Sequence, residues 1–232
     1  ADENPIWQNR SLRIHSGLSW LFGARFILLG FCLVEPFSGG IGLLFLSQVG
    51  VMLWWRGPFN GGSDYMTLQV LLSLSLCSIF RSHPMVTRGV LFFTGIQVLF
   101  SYVVAGWVKV KSEAWRNGQA LEAFLQQSIY RPLILTEVLR KRPRIGFAVS
   151  WGIILWELSF TVLFFPIGAP TTGVGVMSSF NMTAETKTYV CLFYIGSAII
   201  FHFVNFILFG LNRFFWAWLS ALPALAYLVF ST

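Results

Sequence analysis

Between Gly89 and Val108 the chain carries no charged side chain, and this run constrains the fold more than any other stretch. As a helix rising about 1.5 Å per residue, it is long enough to cross a hydrocarbon core of roughly 30 Å. Lys109 and Lys111 follow where such a helix leaves the lipid, and Trp107 and Trp115 flank them, an aromatic and cationic mixture typical of a membrane interface. Gly106 leaves a gap on the same helix through which a neighbour or a ligand can approach. Read by spacing alone, the two lysines are membrane-edge anchors whose ammonium groups reach back to the headgroups.

Composition extends this reading to the whole chain. Hydrophobic residues make up 56% and charged residues 11%, against roughly 25% charged in soluble domains, so the chain reads as a polytopic membrane protein. The formal charge of +7 does not point to nucleic acid. Its basic residues fall at the ends of apolar runs and form no groove-reading array. Cys32, Cys77 and Cys191 lie in separate apolar segments without paired spacing, which indicates neither a disulfide framework nor a metal site.

In chain order, residues 1–17 form a polar, interfacial lead-in containing Arg10 and Arg13, followed by one transmembrane domain over 18–231. The first span, 19–34, carries Arg25, which needs a partner or a route to the headgroups. A break at Ser38-Gly39-Gly40 precedes a short segment, 41–55, that is tilted, partly re-entrant or begins earlier. After a turn-rich loop over 56–63, Asp64 is placed as an N-cap or first-turn acid for the span 65–80. Span 89–108 is the fourth. Residues 119–127 show a helical period in a segment too polar to cross, which predicts one short helix along the membrane surface. A basic linker with Arg131, Arg140, Lys141, Arg142 and Arg144 leads to the span 145–165, in which Glu157 lies between apolar turns beside Trp151 and Trp156. A carboxylate there must be protonated or paired, and Arg25 is one partner that the sequence offers. The segment 168–184 reads as a loop of small residues and contains the formal glycosylation sequon Asn181-Met182-Thr183. Spans 188–211, with His202 and Asn205 on one face, and 214–230, interrupted by Pro223, complete an all-α bundle of about six to seven transmembrane helices.

Charge asymmetry orients the bundle. With the amino terminus cytoplasmic and seven spans, Arg10, Arg13, Arg56, Lys109, Lys111, Arg116, Arg131, Arg140, Lys141, Arg142, Arg144 and Arg213 lie inside, against Arg81, Arg88 and Lys187 outside. The positive-inside rule favours this arrangement and puts the carboxyl terminus on the opposite side.

Four motifs fall in order on these spans: Gly61-Gly62-Ser63-Asp64; Tyr102-x-x-Ala105-Gly106-x-x-Lys109, with Trp115 and Gly118 behind it; Trp156-Glu157-Leu158; and His202-x-x-Asn205-x-x-Leu208-Phe209, with Phe214 and Leu219 beyond. In this the chain resembles the horizontally transferred transmembrane domain family, the membrane portion of vitamin K-dependent gamma-carboxylases and their bacterial relatives. The resemblance implies a membrane-embedded site for a reduced quinone, with a membrane-edge lysine as base and the histidine of the last motif near the active centre. It maps the base onto Lys109, or onto Lys111, because the carboxylase has adjacent lysines where this chain has Val110 between them. The large extramembrane portion that binds the carboxylase's protein substrate has no counterpart in these residues.

Three function classes follow. An enzyme acting on a quinone, lipid or peptide would use Lys109 and His202 as catalytic groups, with Asn205, Glu157, Trp115 and Lys111 binding its substrate or ligand. A non-catalytic subunit would pack its aromatic faces against lipid, pigment or a larger respiratory or photosynthetic complex. In that reading His202 is a core histidine or an axial ligand to haem or chlorophyll. A carrier or channel would line a path with Arg25, Glu157 and His202, but the chain lacks the paired half-helices of many transporters. Membrane lipid is a partner in every case, and a protein partner in the second.

Overall fold

The computed structural model describes residues 5–57, 61–127, 132–163 and 183–230, with side chains described from residue 19 onward except those of Val162, Leu163 and Ala184. Arg131, the end of the fifth span at 164–165, the loop residues through 182 and most of the sequon lie outside the described residues. Among the described residues every regular element is helical, and the chain divides into two compact units, Ala1–Thr87 and Arg88–Thr232.

The first unit contains α1 (Pro5–Val34), α2 (Ser38–Trp54) and α3 (Gly61–Ile79). Helix α1 starts well before the apolar stretch, so the polar lead-in is helical from Pro5 onward. Nothing interrupts the segment until Glu35-Pro36, where proline disfavours helix for the residue before it. The glycines at 39 and 40 are not a break. They lie in the first turn of α2, because a Cβ at Gly40 would stand 2.5 Å from the Phe37 ring and 2.7 Å from Cys32 Sγ. The missing side chain lets the start of α2 pack on the end of α1. Higher up, Arg25 of α1 donates to Gln48 Oε1 of α2 at 3.0 Å. Asp64 lies in the first turn of α3 and is buried.

The second unit begins within α4 (Pro84–Lys111), which overruns the charge-free run at both ends and carries Lys109 and Lys111 in its last turn, where the helix dipole favours cations. Three short helices follow instead of the single one read from the sequence: α5 (Glu113–Arg116), α6 (Gln119–Gln127) and α7 (Leu133–Lys141). Helix α7 occupies the basic linker. Its Leu135 and Leu139 are spaced i, i+4 on one face, while Lys141 reaches back to Glu137 at 2.7 Å. Helix α8 (Pro143–Ser159) continues as a 3-10 turn through Leu163. Helix α9 (Ala184–Phe209) is capped by Thr183, whose hydroxyl accepts from the Thr186 amide, and ends at Gly210 in left-handed conformation. The last helix, α10 (Asn212–Phe230), accommodates Pro223 in its interior.

Side-chain-free positions bring these helices together. Gly95 of α4 faces the Ala224 carbonyl and Leu228 Cβ of α10, where a Cβ would stand 2.5 and 2.7 Å away. Gly118, at φ 82°, lies against the backbone of Gly146 and Phe147 in α8. Val98 and Leu99 of α4, Ile154 of α8, Ala198 of α9 and Leu225 and Leu228 of α10 are fully buried in the resulting core. Among the described residues three helices are long and apolar enough to cross a membrane: Pro84–Lys111, Glu185–Phe209 and Asn212–Phe230. The apolar part of α1, Ser19–Val34, and α2 are shorter apolar helices.

Candidate functional site

One face of α4 carries Tyr102, Ala105 and Lys109, spaced i, i+3 and i+7, and this face borders a cavity of about 770 Å³ inside the second unit. The facing turns of α8 contribute Val149, Ile153 and Glu157, those of α9 His202, Asn205 and Leu208, and those of α10 Phe214 and Trp218. Leu121, Phe124 and Leu125 of α6, with Leu135 and Leu139 of α7, complete the lining with apolar groups.

Gly106 explains how the charged pair at this wall is assembled. A Cβ there would stand 3.0 Å from Leu158 Cγ and 3.1 Å from Glu157 Cβ, so α8 approaches α4 closely at this level. One turn on, Lys109 Nζ donates to both carboxylate oxygens of Glu157, at 2.6 and 2.7 Å. The Glu157 side chain is 3% exposed and that of Lys109 17%. Glu157 is thus paired with Lys109, and the Arg25 guanidinium with Gln48, in place of the Arg25–Glu157 pairing that the sequence offered. A buried ion pair surrounded by hydrocarbon is costly to desolvate and is poor evidence of a purely stabilising role.

Trp115, just beyond the end of α4, lies with its ring centroid 5.1 Å from Lys109 Nζ. This is cation–π distance. Arg116 folds back to donate to the Val110 and Lys111 carbonyls at 2.8 and 3.1 Å, closing the end of α4, and Trp151 of α8 donates to the Arg116 carbonyl at 3.1 Å. Lys111 takes the other side of the helix. It is exposed, its Nζ stands 5.3 Å from the Trp107 centroid, and it does not line the cavity.

Deeper along α4 the Tyr102 hydroxyl and His202 Nε2 are 2.7 Å apart in a buried hydrogen bond. Around them stand Phe160, stacked on Tyr102 at 4.0 Å, Trp156 at 5.6 Å and Trp218, stacked on His202 at 4.9 Å. Axial ligation of a haem through His202 Nε2 would break the tyrosine bond. Asn205 lines the cavity one turn along α9, its amide donating to the Phe201 carbonyl at 2.8 Å. Among the described residues no cluster of three His, Cys, Asp or Glu side chains is arranged to hold a metal ion.

Of the candidates read from the sequence, Lys109, Glu157, Trp115, His202 and Asn205 border one cavity and Lys111 does not. Sequence reasoning placed Tyr102 in a motif without a role of its own and read 119–127, now α6, as a surface helix, but it gave no place to Trp218 or to α7. Tyr102 was detectable as the residue two turns before Lys109 on the same face, and α7 by its i, i+4 leucines. Comparison of the chain with protein-family models, curated proteins and solved structures gives no match in any of the three.

Proposed function

We propose that the chain is a multi-pass membrane module of the gamma-carboxylase-like type, with six to seven spans and a cytoplasmic amino terminus, that holds a quinone- or lipid-like molecule between its helices. The observation that carries this reading is the Lys109–Glu157 pair in the wall of a cavity otherwise lined mostly by apolar side chains. Ionisable groups within apolar bundles are functional candidates by default, and a large apolar pocket with a few convergent polar groups is the usual form of a small-molecule site.

In this reading an apolar ligand body fills the space beneath α6 and α7 while its polar end meets Lys109, Asn205 and the His202 turn. Lys109 first passes its proton to Glu157, and the free amine then accepts a proton from the ligand and returns it, while Trp115 shields the pair from water. A base positioned in this way would act on a weakly acidic hydroxyl such as that of a reduced quinone.

The test is a titration of the protein in lipid nanodiscs with a 1,4-naphthoquinone bearing a short isoprenoid tail, followed by tryptophan fluorescence and corrected with empty discs. Saturable quenching by wild type that is lost in Ala105→Phe, where the new ring would occupy the cavity, supports the proposal. Quenching that only follows partition into lipid, in wild type and variant alike, refutes it.

A further inference from the structure

Among the described residues, two buried nitrogens of the cavity lining have no hydrogen-bond partner: His202 Nδ1 and Trp218 Nε1. Their residues are 2% and 7% exposed, and the rings stack at 4.9 Å with planes 21° apart. Buried polar atoms are ordinarily satisfied, and an unsatisfied one costs about 1–3 kcal/mol. Two on adjacent rings of one cavity wall need an explanation.

The hydrogen bond on the far side of the imidazole determines what these atoms can do. The Tyr102 hydroxyl is buried, and His202 Nε2 is the hydrogen-bond partner the described residues give it. If Nε2 carried the proton, the phenolic hydrogen would be left without an acceptor. With the phenol donating to Nε2, the neutral imidazole carries its proton on Nδ1. Nδ1–H is then a donor, and the indole Nε1–H is only ever a donor. The wall therefore offers two donors and no matching acceptor.

We infer that the cavity's ligand presents a hydrogen-bond acceptor, a carbonyl or comparable oxygen, to His202 Nδ1–H and Trp218 Nε1–H, with Tyr102 as the positioning residue that fixes the histidine tautomer. Both nitrogens are closed off from the cavity as the rings now stand, so the two rings must turn their N–H groups toward a bound ligand. The inference rests on the proposed small-molecule site and adds the chemical class that this wall selects: an oxygen acceptor is retained, and a hydrocarbon of the same shape is not. It is independent of the Lys109–Glu157 pair. The two donors lie around the Tyr102 level of α4, two turns from Lys109, so a ligand that meets both regions is polar at two points along its length.

A matched pair of probes tests this. Dodecanophenone and dodecylbenzene differ only in a carbonyl in place of a methylene. Their binding to the protein in nanodiscs is measured by equilibrium depletion and divided by partition into empty discs. Wild type is expected to prefer the ketone by about tenfold, the order of one to two hydrogen bonds. Trp218→Phe, which keeps an aromatic ring and removes the N–H, and Tyr102→Phe, which releases the tautomer, should each bring the ratio most of the way to one, whatever change in cavity shape does to the binding of both probes together. Equal binding of both probes by wild type, or a ketone preference that both variants retain, overturns the inference and leaves the cavity reading intact. Failure of both probes to bind beyond empty discs overturns both. If either variant fails to fold, the wild-type ratio still decides.

Discussion

The two compact units bury their polar groups in different ways. In the first, Arg25 reaches a neutral amide, Gln48, and the large side chains along α1, Trp20, Phe26 and Leu33 among them, are left exposed. In the second, a cation meets an anion, a tyrosine meets a histidine, and both pairs border a cavity lined mostly by aromatic and aliphatic side chains. In the first arrangement the Gln48 oxygen accepts from Arg25, while its buried amide nitrogen has no hydrogen-bond partner among the described residues. The second concentrates two polar pairs where there is space, which is what a binding site requires and a simple helix contact does not. The same contrast recurs over two residues of α4, where Lys109 turns into the cavity and Lys111 turns out onto Trp107.

Glycine substitution should separate the units most strongly. Gly118→Ala forces a side chain into left-handed backbone, with the new Cβ 2.3 Å from the Phe147 amide nitrogen, and should cost about 3 kcal/mol or more. Gly30→Ala in α1 meets nothing within 4 Å and should be neutral or slightly stabilising, by up to roughly 1 kcal/mol. Thermal unfolding in detergent gives both values, and equal effects would break the comparison.

The ion pair comes next. Glu157→Leu leaves a largely buried ammonium without its partner and should cost about 2–4 kcal/mol, most of it recovered in the double variant Lys109→Met/Glu157→Leu. A double variant no more stable than the single would mean that Lys109 finds another partner.

Gln48→Leu tests the corresponding contact in the first unit. Losing one hydrogen bond to a charged group should cost about 1–2 kcal/mol, and the naphthoquinone titration should not change. Lys111→Ala should have the smallest effect, about 0.5 kcal/mol from an exposed cation–π contact, again with no change in ligand binding. A binding defect in Lys111→Ala comparable to that of Lys109→Ala would erase the distinction between the two lysines.

Much of this arrangement was legible before any coordinates. Lys109, Glu157 and His202 stand out because an ionisable side chain in an apolar run is conspicuous, and the helix-rich architecture follows from the same runs. The partner of Glu157 was not legible. Lys109 and Arg25 both lie on apolar helices, and only the close approach of α8 at Gly106 selects between them. Helix α7 was hidden because the basic residues around it dominate the pattern, while its core-facing leucines are a sparse signal. Trp218 was hidden for the opposite reason: in a chain that is 17% aromatic, no single ring draws attention until its neighbours are known, and Tyr102, though it heads a motif, showed no role until His202 stood beside it.

The most direct test of the central claim is extraction and mass spectrometry of whatever small molecule stays with the protein when it is purified in mild detergent from the cells that make it. The account predicts an apolar molecule bearing an oxygen acceptor, near one per chain, retained by wild type and Lys111→Ala and absent from a folded Ala105→Phe variant. Extracts containing only bulk membrane lipid, the same in wild type and Ala105→Phe, would contradict it and favour a structural subunit.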